Sequence, residues 1–487
     1  MKIIKSIAIL STVTVLVSLQ SCKKYLDEVP DNRTEITTVA KVAQLTATAY
    51  PTAHYITFAE AASDNTEEKE KGVGSLNEAW DKPYYWEDLS GTPTNSAGSY
   101  WNGCYEAIAA ANQALQAIQD GNFGDAVLPY KGEALVARAY AHFMLAVFFA
   151  KPYEKGGANS SPGVPYVTEP ETQPIKQYSR GTVQETYDKI KKDLEEGLPL
   201  LSASAYTVPK YHFTPSAAHA FASRFYLFLG EWQKVIDHAN LTVPGNDFVN
   251  NMRPVSTTLY EMTNNDFRAN YTKTEQRTAI MLGNAYSTYT YENTPNHGIG
   301  NKLVTMFTSP NVTGKILANK VYQWSAGNYN TLKYLYYFFY TGPGIGFPYL
   351  VVPLLTSDET LMNRAEAYAQ LGLNDAALKD INDFMKVRIR GYNANTDVVT
   401  LAKIKAFYSI DDPKEGLIKT ILESKKAEFL EEGIRWMDIV RTGITVRHNV
   451  YSNVGVESYM ELKPGDPRRL FQLPTEVKLS GVEQNPR

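Results

Sequence analysis

Six tryptophans and 33 tyrosines give this chain its chemical character. A ring offers a flat apolar face, and indole and phenol add a polar tip. Rings at this density suit a surface that holds something polar with apolar faces, although many must also fill the core. Trp101, Trp232 and Trp436 fall in stretches of helical period and are assigned to the core. Trp80, Trp86 and Trp324 fall in irregular stretches. Around them lie Tyr84, Tyr85, Tyr286, Tyr289, Tyr291, Tyr322 and Tyr329, with Asp64, Asn65, Asn77 and Asn328 as polar companions. The expected ligand site draws on residues 62–99 and 284–330.

Reactive chemistry has few carriers. The seven histidines form no His-Glu-x-x-His metal motif, and His212 and His219 read as surface or core residues. Gly342-Pro343-Gly344-Ile345-Gly346 has a phosphate-loop spacing, but its proline and the lack of a following helix argue against a phosphate cradle. A glycosidase needs two carboxylates about 5–10 Å apart across a cleft, and nothing singles out a pair among 52 acidic residues. The chain reads as a binder rather than an enzyme, with no cofactor or metal. One thiol stands apart. Cys22 follows Leu19-Gln20-Ser21 and an apolar stretch that begins after Lys2 and Lys5. That stretch is shorter than the roughly 20 residues a spanning helix needs, so it reads as an export signal. Its ending resembles the lipobox of bacterial lipoproteins, in which the cysteine is lipidated and becomes the first residue. Several acyl chains would hold a protein on a membrane without a spanning helix.

Removing residues 1–21 takes two lysines with it and moves the net charge from −4 to −6. Bulk charge therefore does not favour nucleic acid or anionic lipid. With Cys22 lipidated, Cys104 has no disulfide partner, and packing alone must hold the core. No second run after the leader is expected to span a membrane.

The elements that must position the rings are mostly helical. Residues 22–35 read as a tether, and 36–487 as a single α-rich domain. It comprises a helical part (36–244), a loop-rich insertion with short strands (245–355) and a second helical part (356–487). The charge run at 67–71 reads as a solvated loop. Helices are expected over 36–54, 99–120, 129–150, 180–201, 215–229, 231–241, 357–372, 374–388, 414–432 and 434–441, with an extended tail from 463. Ala134, Ala137 and Ala141 share a helix face, which invites close neighbours. Tyr226-x-x-Leu229-Gly230 and Tyr368-x-x-Leu371-Gly372 each end a helix on glycine just before another helix starts. These two units, 142 residues apart, resemble tetratricopeptide helix pairs.

An ordered set of segments resembles the SusD/RagB family of outer-membrane nutrient-binding lipoproteins of Bacteroidetes. Cys22-Lys23-Lys24-Tyr25-Leu26-Asp27-Glu28-Val29-Pro30 matches the family's start, and Trp101, Tyr105, Ile108, Ala111 and Asn112 its first long helix. Gly132-Glu133-Ala134, Arg138-Ala139, Phe143, Pro152 and Gly163-Val164-Pro165 follow, then Arg180, Thr182-Val183, Tyr187, Ile190 and Asp193-Leu194. The strongest piece is Glu428-Phe429, Glu432-Gly433, Arg435-Trp436, Asp438 and Arg441, before Leu473-Pro474 and Gln484-Asn485-Pro486. Two features depart from the family: Glu423-Ser424-Lys425-Lys426 stands where Glu-Arg is common, and Gly-Tyr does not follow Asn-Pro. Arg435, Asp438 and Arg441 can share a helix face and pair with Glu428 or Glu432, a structural role.

The resemblance implies an oligosaccharide receptor on the outer-membrane surface that passes its ligand to a SusC-type TonB-dependent transporter, with the tetratricopeptide-like helices against that partner. Trp80, Trp86, Trp324, Tyr84, Tyr286, Tyr291, Tyr329, Asp64, Asn65 and Asn328 would then hold the sugar. Two or three rings at roughly 1–2 kcal/mol each imply dissociation constants of about millimolar to tens of micromolar. Two rivals remain, a peptide cargo in the same role and a helical interaction scaffold with no small ligand. The loop-rich insertion weighs against the scaffold.

Overall fold

The computed structural model describes residues 36–173, 175–289 and 294–487. The leader 1–21, the tether 22–35 with Cys22, and Tyr291 lie outside the described residues. Short helices α1 (Val39–Thr46) and α2 (Ile56–Ala62), a two-residue strand β1 (Glu67–Glu68) and α3 (Glu78–Tyr84) come first. The long helices α4 (Ala97–Asp120), α5 (Leu128–Phe149) and α6 (Val183–Gly197) follow. Local chemistry sets their starts. The Ser96 hydroxyl accepts from the Ser99 N–H at 3.0 Å, and Thr182 and Glu185 exchange hydrogen bonds as a capping box at α6.

The alanine face of α5 does what its spacing suggests. Every residue from Gly132 to Phe149 is buried, and α4 and α6 pack on either side. A Cβ on Gly132 would lie 2.7 Å from the Gly197 carbonyl oxygen, so α5 and α6 meet backbone to backbone. One expectation is corrected here. Gly124–Phe149 is apolar and long enough to cross a bilayer, but its 18-residue apolar window is wholly buried within the fold. A helix surrounded by other helices can be apolar on every side.

The two predicted helix pairs are α7 (Pro215–Leu229) with α8 (Trp232–Asn240), and α10 (Ser357–Gln370) with α11 (Asn374–Lys386). Gly230 and Gly372 take φ of +67° and +75°. At each, the residue after the glycine donates back to a tyrosine carbonyl, Glu231 to Tyr226 at 3.0 Å and Leu373 to Tyr368 at 2.9 Å. Helix α10 packs against both α7 and α8, so units far apart in sequence are neighbours in space.

Between the pairs lie α9 (Asn264–Tyr271), β2 (Ala279–Tyr286), β3 (His297–Gly298), β4 (Tyr322–Ser325), β5 (Asn328–Asn330), β6 (Tyr337–Gly342) and β7 (Ile345–Thr356). They form an antiparallel sheet of order β2-β7-β6 and the ladders β1-β3 and β4-β5. The glycine-rich Gly342–Gly346 segment is the turn of the β6-β7 hairpin. Helices α12 (Leu401–Tyr408), α13 (Pro413–Glu428) and α14 (Ile434–Thr442) and the hairpin β8 (Val446–Tyr451)–β9 (Glu457–Leu462) complete the chain. Sequence reasoning missed α2, α3, α9, α12 and β8-β9, all short elements. The tail lies along the body, and the Asn485 side chain donates to the Phe149 and Phe471 carbonyls.

Much of the buried charge is paired across elements. Arg435 donates to both Asp64 oxygens at 2.7 and 2.9 Å. Lys425 reaches Asp438 at 2.8 Å, and Arg441 grips both Glu366 oxygens at 2.6 Å while also reaching Asp438. The expected partners Glu428 and Glu432 serve Arg388 and Lys333 instead. The turn through Glu431 and Gly433, with φ of +65° and +75°, carries those carboxylates away from the α14 face.

Burial alone would raise the Asp438 carboxyl. Lys425 and Arg441 more than offset it and hold it at about 2, against an ordinary value near 3.8. A carboxyl depressed in the folded state adds stability above its unfolded value, and that stability is lost as pH falls through the folded one. The contribution is about 2 kcal/mol. In urea unfolding from pH 4 down to pH 2, wild type should lose about that much more stability than Asp438→Asn. Parallel pH profiles would refute the assignment.

Candidate ligand-binding cleft

The two segments expected to carry the site do meet. A cleft of about 240 Å³ lies between residues 67–73 and the turn of the β4-β5 hairpin. Glu67, Glu68, Lys69 and Glu70 line one side, Asn301, Lys302 and Gly327 the other, and Tyr451 of β8 closes an end. The charge run expected to be a solvated loop is largely a clamp, because its side chains find partners in three other segments. Glu67 Oε1 accepts from the Lys302 and Leu303 N–H groups at 3.0 Å. Lys69 Nζ donates to the Pro295 carbonyl and to Asn328 Oδ1, both at 2.7 Å. Glu68 accepts from the Tyr451 N–H at 2.9 Å. Only Glu70 and Lys71 of the run are exposed.

Several expected ligand residues belong to the framework behind the cleft. Trp86, His448, Tyr84 and His297 form a buried column of stacked rings with centroids 4.1–4.7 Å apart. Trp86 Nε1 donates to the Ala62 carbonyl at 3.0 Å. Trp80 is 3% exposed and packs on Tyr289. These rings come from loops, but their faces are covered, and this corrects the expectation that Trp80, Trp86 and Tyr84 lie open. Asp64 is held between Arg435 and Lys426, which keep its carboxyl well below the usual range against the opposing effect of burial. Asn65 and Asn328 are buried, and Asn77 caps α3 by accepting from the Ala79 N–H.

The exposed rings are fewer. Trp324 is 43% exposed and meets Tyr322 edge to face at 4.8 Å on one face of β4. Tyr329 pairs across the ladder with Gln323, which places it on the other face. Its hydroxyl lies 3.4 Å from Gln323 Nε2 and Asn301 Oδ1, the latter on the cleft wall. Tyr286 is exposed elsewhere, on the β2-β7-β6 sheet against Phe347. The cleft residues that sequence reasoning missed are Glu67, Glu68, Lys69, Glu70, Asn301, Lys302, Gly327 and Tyr451. The alternation of charge at 67–71 was visible, but not its burial.

Behind the cleft the polarity continues inward. Glu60 Oε1 accepts from the Gly433 N–H at 2.6 Å. Burial pushes its carboxyl up to about 8, more than that hydrogen bond can offset. Lys69 is lowered to about 8 by burial, with Glu431 and Glu67 opposing. Among the described residues no cluster of three or more histidine, cysteine or acidic side chains is arranged to hold a metal.

Comparison with known proteins adds a family and a fold. Residues 24–227 match a family model described as starch-binding associating with outer membrane, and residues 233–472 match the SusD family model. No curated protein matched the sequence. A SusD superfamily protein of Bacteroides thetaiotaomicron shares 18% identity over 93% of this chain and 100% of its own, with a TM-score of 0.66. A SusD-like carbohydrate binding protein of Bacteroides vulgatus shares 15% over 91% and 96%, with a TM-score of 0.62. A laminarin binding SusD-like protein shares 16% over 92% and 99%, with a TM-score of 0.58.

Burial divides the tryptophans into two classes with opposite expected effects. Trp80→Ala should cost about 3–5 kcal/mol of stability in denaturant unfolding, the usual cost of emptying a buried aromatic site. Trp324→Ala should change stability by less than about 0.5 kcal/mol, as exposed substitutions do. Equal effects would show that Trp324 is packed, or that Trp80 is not.

Proposed function

We propose, from the premise that this chain belongs to the SusD family, that it captures a neutral oligosaccharide at the cell surface without altering it. The observation that carries this reading is the cleft itself. Residues 67–73 and 301–302 bring the Asn301 amide and the Glu67, Glu68 and Glu70 carboxylates together beside half-buried Tyr451, with the turn of the β4-β5 hairpin completing the wall. The same hairpin exposes a Trp–Tyr pair. Sugar rings offer C–H faces to aromatic rings and paired hydroxyls to planar polar groups. Two of the structures that share the fold are named for carbohydrate and for laminarin, which supports a saccharide cargo over a peptide.

In this reading Cys22 carries the lipid that anchors the protein to the outer membrane, after residues 1–21 are removed. Residues 22–35 tether a single body, 36–487. The body hands its ligand to a SusC-type TonB-dependent transporter, and the paired helices α7-α8 and α10-α11 face that partner. Weak binding suits such a transfer, because a ligand held too tightly would not be released.

A glycan array beside a peptide panel tests the cargo. The full body should retain neutral oligosaccharides, and Trp324→Ala should weaken that retention about 5- to 30-fold, the loss of roughly 1–2 kcal/mol of ring contact. Retention of peptides with silent glycans would overturn the reading.

A further inference from the structure

Lys69 lines two spaces, the surface cleft and a small chamber directly behind it. The chamber holds about 10 Å³, room for a single water-sized group. Its lining includes Glu60, Asn65, Trp80, Tyr329 and Glu431. Glu60 and Asn65 are each 2% exposed and Trp80 3%. Glu60 Oε2, both polar atoms of the Asn65 side chain and Trp80 Nε1 have no hydrogen-bond partner within 3.5 Å among the described residues, although the Asn65 amide lies near enough to Glu60 to favour its charged form. Buried polar atoms left unpaired cost about 1–3 kcal/mol each, so several of them on residues that line one small space mark a site built for an occupant.

The Tyr329 side chain lines the chamber on the side of the cleft wall. Its backbone is fixed, since its N–H donates to the Ile299 carbonyl at 3.1 Å. Its hydroxyl is held only by the two 3.4 Å contacts to Gln323 and Asn301, at the weak limit of hydrogen bonding. Tyr329 thus links the chamber lining to Asn301 of the cleft wall, and its loosely held side chain can turn without moving the strand.

We propose that the chamber is a buried subsite for one hydroxyl group of a neutral saccharide, opened by displacement of the Tyr329 side chain. The chemistry of the lining selects the group. Asn65 Oδ1 accepts, while Asn65 Nδ2, Trp80 Nε1 and the Glu60 carboxyl, kept protonated at neutral pH by burial, donate, so the occupant must both donate and accept. A hydroxyl does both. A carboxylate only accepts and would face Glu431, and an ammonium only donates and would face Lys69. In the free protein the same position suits a water, which the ligand hydroxyl replaces. The inference rests on the saccharide reading for its ligand but uses a different set of atoms.

Two measurements test it. Crystals of the protein soaked in glycerol, a small polyol probe, should show Tyr329 turned out and a hydroxyl oxygen within about 3.2 Å of Glu60 Oε2 and Asn65. Tyr329 in place over a chamber that holds water alone would overturn the proposal. In solution, Asn65→Leu should lose at least about fivefold in retention of the array sugar that wild type holds best, a change of about 1 kcal/mol. Trp80→Phe, which removes the indole N–H and keeps a ring, serves if Asn65→Leu does not fold. Wild-type affinity in a folded variant would refute the subsite and leave the receptor reading standing. A silent array with wild type would refute the receptor reading, and the glycerol soak would still decide the chamber.

Discussion

The Asp64 carboxylate, gripped by Arg435 and Lys426, joins the first helices to the last at the point where the cleft begins. Four residues upstream, Glu60 accepts the Gly433 N–H, and Glu431 in the same turn accepts from Asn330 and Thr331 of the insertion. Three distant parts of the chain therefore meet through carboxylates with few alternatives. Removing Arg435 or Asp64 would leave a charge uncompensated at a cost of about 3–5 kcal/mol, while the Glu60 and Glu431 hydrogen bonds tie in the turn and the insertion. The cleft residues 67–69 lie immediately beyond this junction. Their own contacts, Glu67 to the 302–303 backbone and Lys69 to Asn328, extend the same arrangement to the cleft rim.

The helical frame was legible in the sequence because periodicity and capping are local. The alanine face of α5, the Thr182–Glu185 box and the glycines at 230 and 372 each announce an element without reference to the rest of the chain. Packing of α10 against α7 and α8 was not legible, since nothing local says that units so far apart touch. The site was legible only as a pair of segments. Trp80 and Trp86 look like exposed loop rings in sequence, yet His448 and Tyr289, from distant positions, cover them. Likewise Arg435, Asp438 and Arg441 announce a charged helix face, but their partners Asp64, Lys425 and Glu366 are set by tertiary contact. The sheet face with Tyr286, Phe347 and Phe339 drew no notice beyond Tyr286, because strand register determines which rings align.

The polarity of the cleft has a functional sense. Most of its charged side chains are already engaged by backbone or by opposite charge, which leaves little net field for a charged ligand and favours groups that trade hydrogen bonds evenly. The exposed Trp324–Tyr322 pair lies at the cleft margin on the β4-β5 hairpin. In the proposed reading the cleft would hold its ligand by a small number of contacts, over a floor set by the Asp64 junction.

That junction is most directly tested by hydrogen–deuterium exchange on Asp64→Asn beside wild type. If the Asp64 junction fixes the cleft, amides at 67–69 and 296–303 should lose protection while those of α4, α5 and α6 keep theirs. Unchanged protection around the cleft, or loss spread evenly through the helices, would contradict the account.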